Sequence, residues 1–261
     1  MISNQTIYNE RGTVLVGQGV SLTSSIIKRL KKTDIAFIDI QDEEQEVTKE
    51  ISLTLTVEKS ISAVKNLSES LFALKTINIK NNINEIEKVI YSVLDRPFIQ
   101  EFLGTCCHDG LLYNHSLRTA IMSTNMGLIK GYDTLNLQKL AMSAIVHDCG
   151  MGKEFKEDEE HAYLGFIKLR KDLDVDMVIA LVCLQHHEHD NGFPFSCGRS
   201  QISEFASLIA IVDYYDRLLM KNIDPRQALF DTIGQKKIRF NPNMTDLFSS
   251  TIDWSRIYNI S

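Results

Sequence analysis

Apolar residues recur along most of this chain at steps of three and four, the spacing that lines one face of a helix. Val57, Ile61, Val64, Leu67 and Leu71 form one such stripe. Ile86, Val89, Ile90 and Val93 form another, in a helix predicted to begin near Glu85. Residues 75–84 between them (K-T-I-N-I-K-N-N-I-N) carry no stripe and are the predicted break, while Asp95-Arg96-Pro97 closes the second helix. Further on, Leu137, Leu140, Ala141, Ala144 and Ile145 keep the same spacing, as do Met177, Ala180, Leu181 and Leu184, and then Phe205, Leu208, Ile209 and Val212. Residues 1–47 read differently. Thr13-Val14-Leu15-Val16 and the β-branched run at 35–40 predict short strands. Ser24 predicts a cap for a helix through Ile26, Ile27 and Leu30, and residues 41–46 predict a polar, acidic connector.

The predicted organisation is a mainly α chain in three parts. A small N-terminal α/β accessory module covers 1–47, a helical connector covers 48–104, and a helical bundle domain covers 105–261. The connector helices suit packing or a homodimer. Residues 236–261 carry no chemical cluster and read as packing.

Composition narrows the class. The chain has 261 residues, 44% hydrophobic, with four prolines and thirteen glycines, which leaves room for long helices. A net charge of −6 argues against a partner that is a nucleic-acid polymer, because phosphate neutralisation needs basic surface. A small anion remains compatible where positive charge is focused locally. Five cysteines (Cys106, Cys107, Cys149, Cys183, Cys197) include no C-x-x-C pair and fit reduced thiols. The first residues lack a basic region followed by an apolar run, and no segment reaches the length of a membrane span. The expectation is a cytoplasmic protein without membrane insertion.

The chemistry lies where the stripes end. His147 and Asp148 close the helix carrying Ala144, and the chain then turns at Gly150 and Gly152. His186 and His187 close the helix carrying Leu184, with Glu188 next. His115 shares a stripe with Leu111, Thr119, Met122 and Met126. His161 follows the acidic run 157–160, whose charge suits a helix N-terminus. Asp213 and Asp216 face the stripe of Phe205 and Ile209, and a carboxylate placed there is costly unless it is paired or binds metal. A single histidine is more often a core or surface residue with one hydrogen bond. Five histidines with Asp148 and Asp213, spread over several helices, instead fit a bundle with a metal site at its centre. Nitrogen and oxygen donors without thiolate favour iron, manganese or zinc, and the ligands outnumber what one ion needs, which points to two.

The order His115, His147-Asp148, His161, His186-His187-Glu188, Asp213 resembles the HD superfamily of metal phosphohydrolases, and more narrowly the HD-GYP family. The matching motifs are H-D-C-G at 147–150, H-x-x-x-G at 161–165, H-H-E at 186–188, G-F-P at 192–194 and D-Y-Y-D at 213–216. The resemblance covers roughly residues 114–232, a little under half the chain, and residues 1–47 resemble the small module that often precedes such domains. The resemblance implies a helical catalytic domain that hydrolyses cyclic di-GMP to pGpG or GMP, by attack of a hydroxide bridging two divalent ions. Iron or manganese is the first expectation, with zinc or nickel as alternatives. Carried over by position, His115, His147, Asp148 and Asp213 match the ligands of the first ion. Asp148 bridges to a second, completed by His161, His186 and His187.

Four departures stand out. The lysine that follows H-D-x-G in the family is Met151 here, with Lys153 two residues on. Phe193 replaces the tyrosine of G-Y-P. Met220-Lys221-Asn222-Ile223 stands where a basic Arg-Pro-Tyr stretch is usual, leaving Arg217 and Lys221 as replacements. Leu111 occupies the position of a glutamate found in three-metal members. Asp148 and Lys153 are therefore the candidate catalytic residues, and Lys153, Phe193, Arg217 and Lys221 the candidate substrate contacts. Two other functions compete: a catalytically degenerate regulatory or nucleotide-binding module, and an HD phosphohydrolase acting on another nucleotide.

Overall fold

The computed structural model describes residues 2–3, 7–8, 14–17, 20, 26, 40–41, 43–106, 110–151, 160–171, 175–191 and 202–258. By internal contacts the chain divides into two units, Met1–Leu55 and Thr56–Ser261.

In the first unit, β1 (Ile2–Ser3) pairs antiparallel with β4 (Ile40–Gln41), and β2 (Ile7–Tyr8) with β3 (Val14–Val16). The strand expected at 13–16 is therefore present as β3. Of the strand expected at 35–40 only Ile40 is among the described residues, and of the helix after Ser24 only Ile26 is. The acidic connector expected at 41–46 is not a connector. Helix α1 (Glu43–Ala73) begins inside it.

Among the described residues the second unit is helical, apart from the isolated β-bridges Ile77–Ile252 and Lys236–Phe240. The part of α1 from Thr56 onward buries Val64 and Leu71, whereas Ile61, assigned to the same stripe, is exposed. Lys75 (φ 59°) follows the end of the helix in a left-handed conformation. The stripe-free segment after it is tied down by backbone bonds. Asn78 N–H donates to the Thr251 carbonyl at 2.7 Å, and Asp253 N–H to that of Thr76 at 3.1 Å. Next come α2 (Ile83–Tyr91) and α3 (Pro97–Cys106). Pro97 closes nothing by itself: it opens α3, since a first-turn position needs no N–H donor.

The bundle proper is α4 (Gly110–Lys130), α5 (Thr134–Val146), α6 (His161–Arg170), α7 (Met177–Gln185) and α8 (Glu204–Met220). After it come α9 (Pro225–Gly234), α10 (Pro242–Ser250) and the short α11 (Trp254–Ile257). Helix α4 packs on α5 and α8, α5 packs on α7, and α6 pairs with α7. Leu117, Ile121, Leu140, Ala144, Ile145, Ile209 and Val212 are wholly buried between them. Helix starts are set by short polar side chains that accept an orphan N–H. Asp133 accepts from Asn136 at 2.8 Å, Ser203 from Ala206 at 3.1 Å, and Asn241 from Asn243 at 2.9 Å. Among the described residues no helix is long and apolar enough to cross a membrane.

Candidate metal centre

The stripe of α5 runs into the core as far as Val146, so the two residues after it enter the core as well. His147 caps the helix, and both it and Asp148 are 0% exposed. The chain reverses at once, with Cys149 N–H donating to Val146 and Met151 N–H to Asp148, each at 2.9 Å. The H-D-x-G turn lies directly against α6. A Cβ on Gly150 would sit 2.0 Å from the His161 carbonyl oxygen and 2.4 Å from the Gly165 nitrogen. That approach needs glycine at 150, and it fixes His161 beside Asp148. Helix α7 ends in the same manner, with His186 as its C-cap and His187 following. His115 comes from the second turn of α4, and Asp213 and Asp216 from the inner face of α8.

These side chains converge into two groups able to hold a metal ion: His115, His147, Asp148 and Asp213; and Asp148, His161, His186 and His187. Within each, the potential ligand atoms lie within 4.8 Å of one another. Asp148 belongs to both, and its two oxygens divide the work. Oδ2 lies 3.5 Å from His115 Nε2 and 3.3 Å from His147 Nε2. Oδ1 lies 3.4 Å from His161 Nε2 and 3.3 Å from His186 Nε2. Asp213 Oδ1 stands 2.9 Å from His115 Nε2 and 3.5 Å from His147 Nε2. On the far side, His161 Nε2 is 3.4 Å from His186 Nε2 and 2.9 Å from His187 Nε2.

The other ring nitrogens explain the orientation. His147 Nδ1 is 2.8 Å from the Ala144 carbonyl, and His186 Nδ1 is 2.8 Å from that of Cys183. A carbonyl only accepts, so each Nδ1 carries a proton and Nε2 is the nitrogen left to face a metal. His115 Nδ1 is 2.7 Å from Asp216 Oδ2, the carboxylate–histidine arrangement that supports metal ligands. Asp216 is held in turn by Arg118, whose Nε and a terminal nitrogen donate to its two oxygens at 2.6 and 2.9 Å. His147 Nε2 and Asp148 Oδ1 are buried and make no hydrogen bond among the described residues. Buried polar atoms left so are costly; a cation in the first group would satisfy His147 Nε2, and one in the second would satisfy Asp148 Oδ1. The donor set therefore fits divalent ions.

Proton affinities follow the same division. Burial pushes His115 and His147 down, but the surrounding carboxylates outweigh it. Asp148, Asp213 and Asp216 hold His115 well above its usual value, and Asp148 with Asp213 raises His147 to about 9. Burial also opposes ionisation of Asp148 and Asp213, yet His147 and Arg217 keep Asp148, and Arg217 and His115 keep Asp213, well below the carboxylate range. His186 is lowered, chiefly by burial; burial and then the adjacent His186 push His187 down to about 2. His186 and His187 in the second group are thus neutral imidazoles, while His115 and His147 in the first hold protons that a metal must displace.

All seven side chains singled out from sequence as metal ligands meet here. Arg217 does too, but in an unexpected place: it donates to Asp148 Oδ2 at 2.7 Å and to Asp213 Oδ1 at 2.6 Å. Lys221 lines the cleft outside His186 and His187, together with Arg217 and Arg239. Lys153 and the Gly192-Phe193-Pro194 loop lie outside the described residues. Sequence reasoning missed Arg118, Arg239 and the partners of Asp216. Arg118 sits one turn after His115, and that i+3 spacing was the one available signal.

Comparison with known families matches residues 112–218 to the HD domain, the all-helical fold of metal phosphohydrolases. Among solved structures, the chain is similar to Bd1817, an HDG"Y"P protein from Bdellovibrio bacteriovorus. The TM-score is 0.50 at 15% identity, over 96% of this chain and 94% of that one. At that identity the likeness shows the fold. Comparison with curated proteins gives no match. The HD domain supports a metal-dependent phosphohydrolase.

Proposed function

We propose that this chain is a cytoplasmic metal-dependent phosphodiesterase that hydrolyses cyclic di-GMP to pGpG, GMP or both. Two divalent ions, iron or manganese before zinc or nickel, would be held by His115, His147, Asp148 and Asp213 on one side and by Asp148, His161, His186 and His187 on the other. The observation that carries this reading is the division of the Asp148 carboxylate, one oxygen toward each group. Bound there, such ions supply Lewis acidity toward a phosphoryl oxygen and an activated water for in-line attack.

The chain's own residues prepare that chemistry. The Ala144 and Cys183 carbonyls fix the tautomers of His147 and His186, and Asp216 fixes that of His115. Burial of Asp148 keeps bulk water from its oxygens and strengthens its electrostatic reach. Lys221 at the cleft, and Lys153 and Phe193 from sequence, are the proposed substrate contacts. Arg217 joins them only by leaving Asp148 and Asp213.

The test is hydrolysis of cyclic di-GMP by purified protein supplied with Mn(II) or, anaerobically, Fe(II). Release of pGpG or GMP, lost in Asp148→Ala, supports the proposal. Bound metal without turnover of any cyclic dinucleotide would replace it with the regulatory reading. Met151 at the family lysine position and the Arg217 contacts favour that second reading. Turnover of a different nucleotide would keep the metal site and change the substrate.

A further inference from the structure

The cleft beside His186 and His187 has a wall that the HD-domain match does not include. Lys221 and Arg239 both line it, and both lie beyond residue 218. They are also the cations whose charge is not spent. Among the described residues neither makes an ion pair, whereas Arg217 in the same cleft is neutralised by Asp148 and Asp213.

Arg239 is held in place by three features. Its guanidinium carbon stands 4.7 Å from the centre of the Tyr214 ring, a cation–π arrangement. Tyr214 directly follows Asp213 in α8, and Phe240 packs on the same ring with centroids 5.5 Å apart. The backbone is latched as well. Arg239 N–H donates to the Gln235 carbonyl, and the Arg239 carbonyl accepts from Asp190 N–H, both at 2.9 Å. Asp190 lies three residues after His187, so the segment carrying the guanidinium is tied to the segment carrying the imidazoles. Lys237 at φ 66° makes the tight turn that brings Arg239 back to the cleft.

A positioned guanidinium without a counter-ion, facing a cleft that ends at imidazoles, is suited to a planar, bidentate anion contact. We infer that Arg239, with Lys221 of the same cleft, forms a subsite for a substrate phosphate. The inference rests on the phosphodiesterase reading for its substrate, but the subsite itself is defined by this chain's residues. It assigns phosphate recognition to a segment that sequence reasoning read as packing. Carboxylates border this region too: Glu188 and Asp213 line the same cleft, and Asp190 and Glu204 line the adjoining one that shares Glu188 and Arg239. Arg217 answers Asp213, which leaves Glu188 as the carboxylate that an anion must avoid on its way to Arg239 and Lys221.

Binding of inorganic pyrophosphate to chelator-treated protein tests the subsite without requiring turnover or metal. Arg239→Ala and Lys221→Ala are each expected to weaken binding at least tenfold, Arg239→Lys less, with the dependence on salt reduced in all three. Metal uptake by the same variants, measured separately, is expected to match the unaltered protein, which shows that the bundle is intact. In the loaded enzyme, Arg239→Ala is expected to raise KM for cyclic di-GMP more than it lowers kcat. Equal pyrophosphate affinity in unaltered protein and Arg239→Ala, with metal uptake preserved, overturns the inference. Pyrophosphate binding lost on mutation in a protein that hydrolyses no cyclic dinucleotide keeps the subsite and removes the substrate.

Discussion

His115 Nδ1 lies 2.7 Å from Asp216 Oδ2, so a carboxylate on α8 sets the direction in which a histidine on α4 presents its other nitrogen. Asp216 touches neither group of ligand atoms assembled around Asp148. Its effect on the centre passes through the ring of His115, which makes it a positioning residue.

Asp216→Asn keeps the size of the side chain and removes its charge. Such second-layer partners typically change metal affinity about 10–100-fold. We expect a loss of that order for the group containing His115, with little change for the group containing His186. Isothermal titration with Mn(II) checks it, and equal affinities would remove Asp216 from the account.

Gly150→Ala is expected to be among the most damaging small substitutions, because the added carbon would meet backbone atoms of His161 and Gly165 that cannot rotate away. Overpacking of this kind typically costs about 1–3 kcal/mol, occasionally more. Thermal unfolding should show the loss. The metal group containing His161 should weaken with it.

Arg217 supplies the positive charge between Asp148 and Asp213. Removing one partner of a buried ion pair typically costs about 3–5 kcal/mol. Arg217→Met should therefore destabilise chelator-treated protein strongly. A divalent ion can neutralise the same carboxylates, so the gain in Tm on adding metal should be larger in the variant than in the unaltered protein. An unchanged gain would mean that Arg217 and the ion do not share these oxygens.

His147 has its folded-state value raised to about 9. In chelator-treated protein its contribution to stability is fully present below the unfolded value, about 6.5, and is lost as pH rises through about 9. A metal needs the neutral ring, so affinity should climb over that same interval as the competing proton leaves. At pH 7, titration in buffers of differing ionisation enthalpy should show release of about one proton or more per chain on metal binding. Affinity that stays flat from about pH 6.5 to 9 would contradict the proton placement.

Much of the bundle was legible because its apolar stripes are long and regular. Leu137 to Ile145 predicted α5, and the end of that stripe placed His147 and Asp148 at a helix terminus in the core. The same logic placed His186 and His187 after α7. Other features lay beyond periodicity. The residues at 41–46 looked like a connector because acidic side chains suit both a loop and a first helical turn. Pro97 marks a helix start as readily as a stop. Arg118 has an ordinary polar position on α4, and nothing local shows that its partner is Asp216 on α8, 98 positions away. Arg239 is invisible for a similar reason: only the tertiary fold carries the 235–240 segment over Tyr214.

The central claim is that Asp148 joins two metal groups, and metal content tests it most directly. Elemental analysis of protein purified without chelator, alongside His147→Ala and Asp148→Ala, should give about two divalent ions per chain. Occupancy of both groups should fall in Asp148→Ala, and mainly that of the group containing His115 in His147→Ala. No bound metal in the unaltered protein, even after incubation with Mn(II) or Fe(II), would contradict the account at its root.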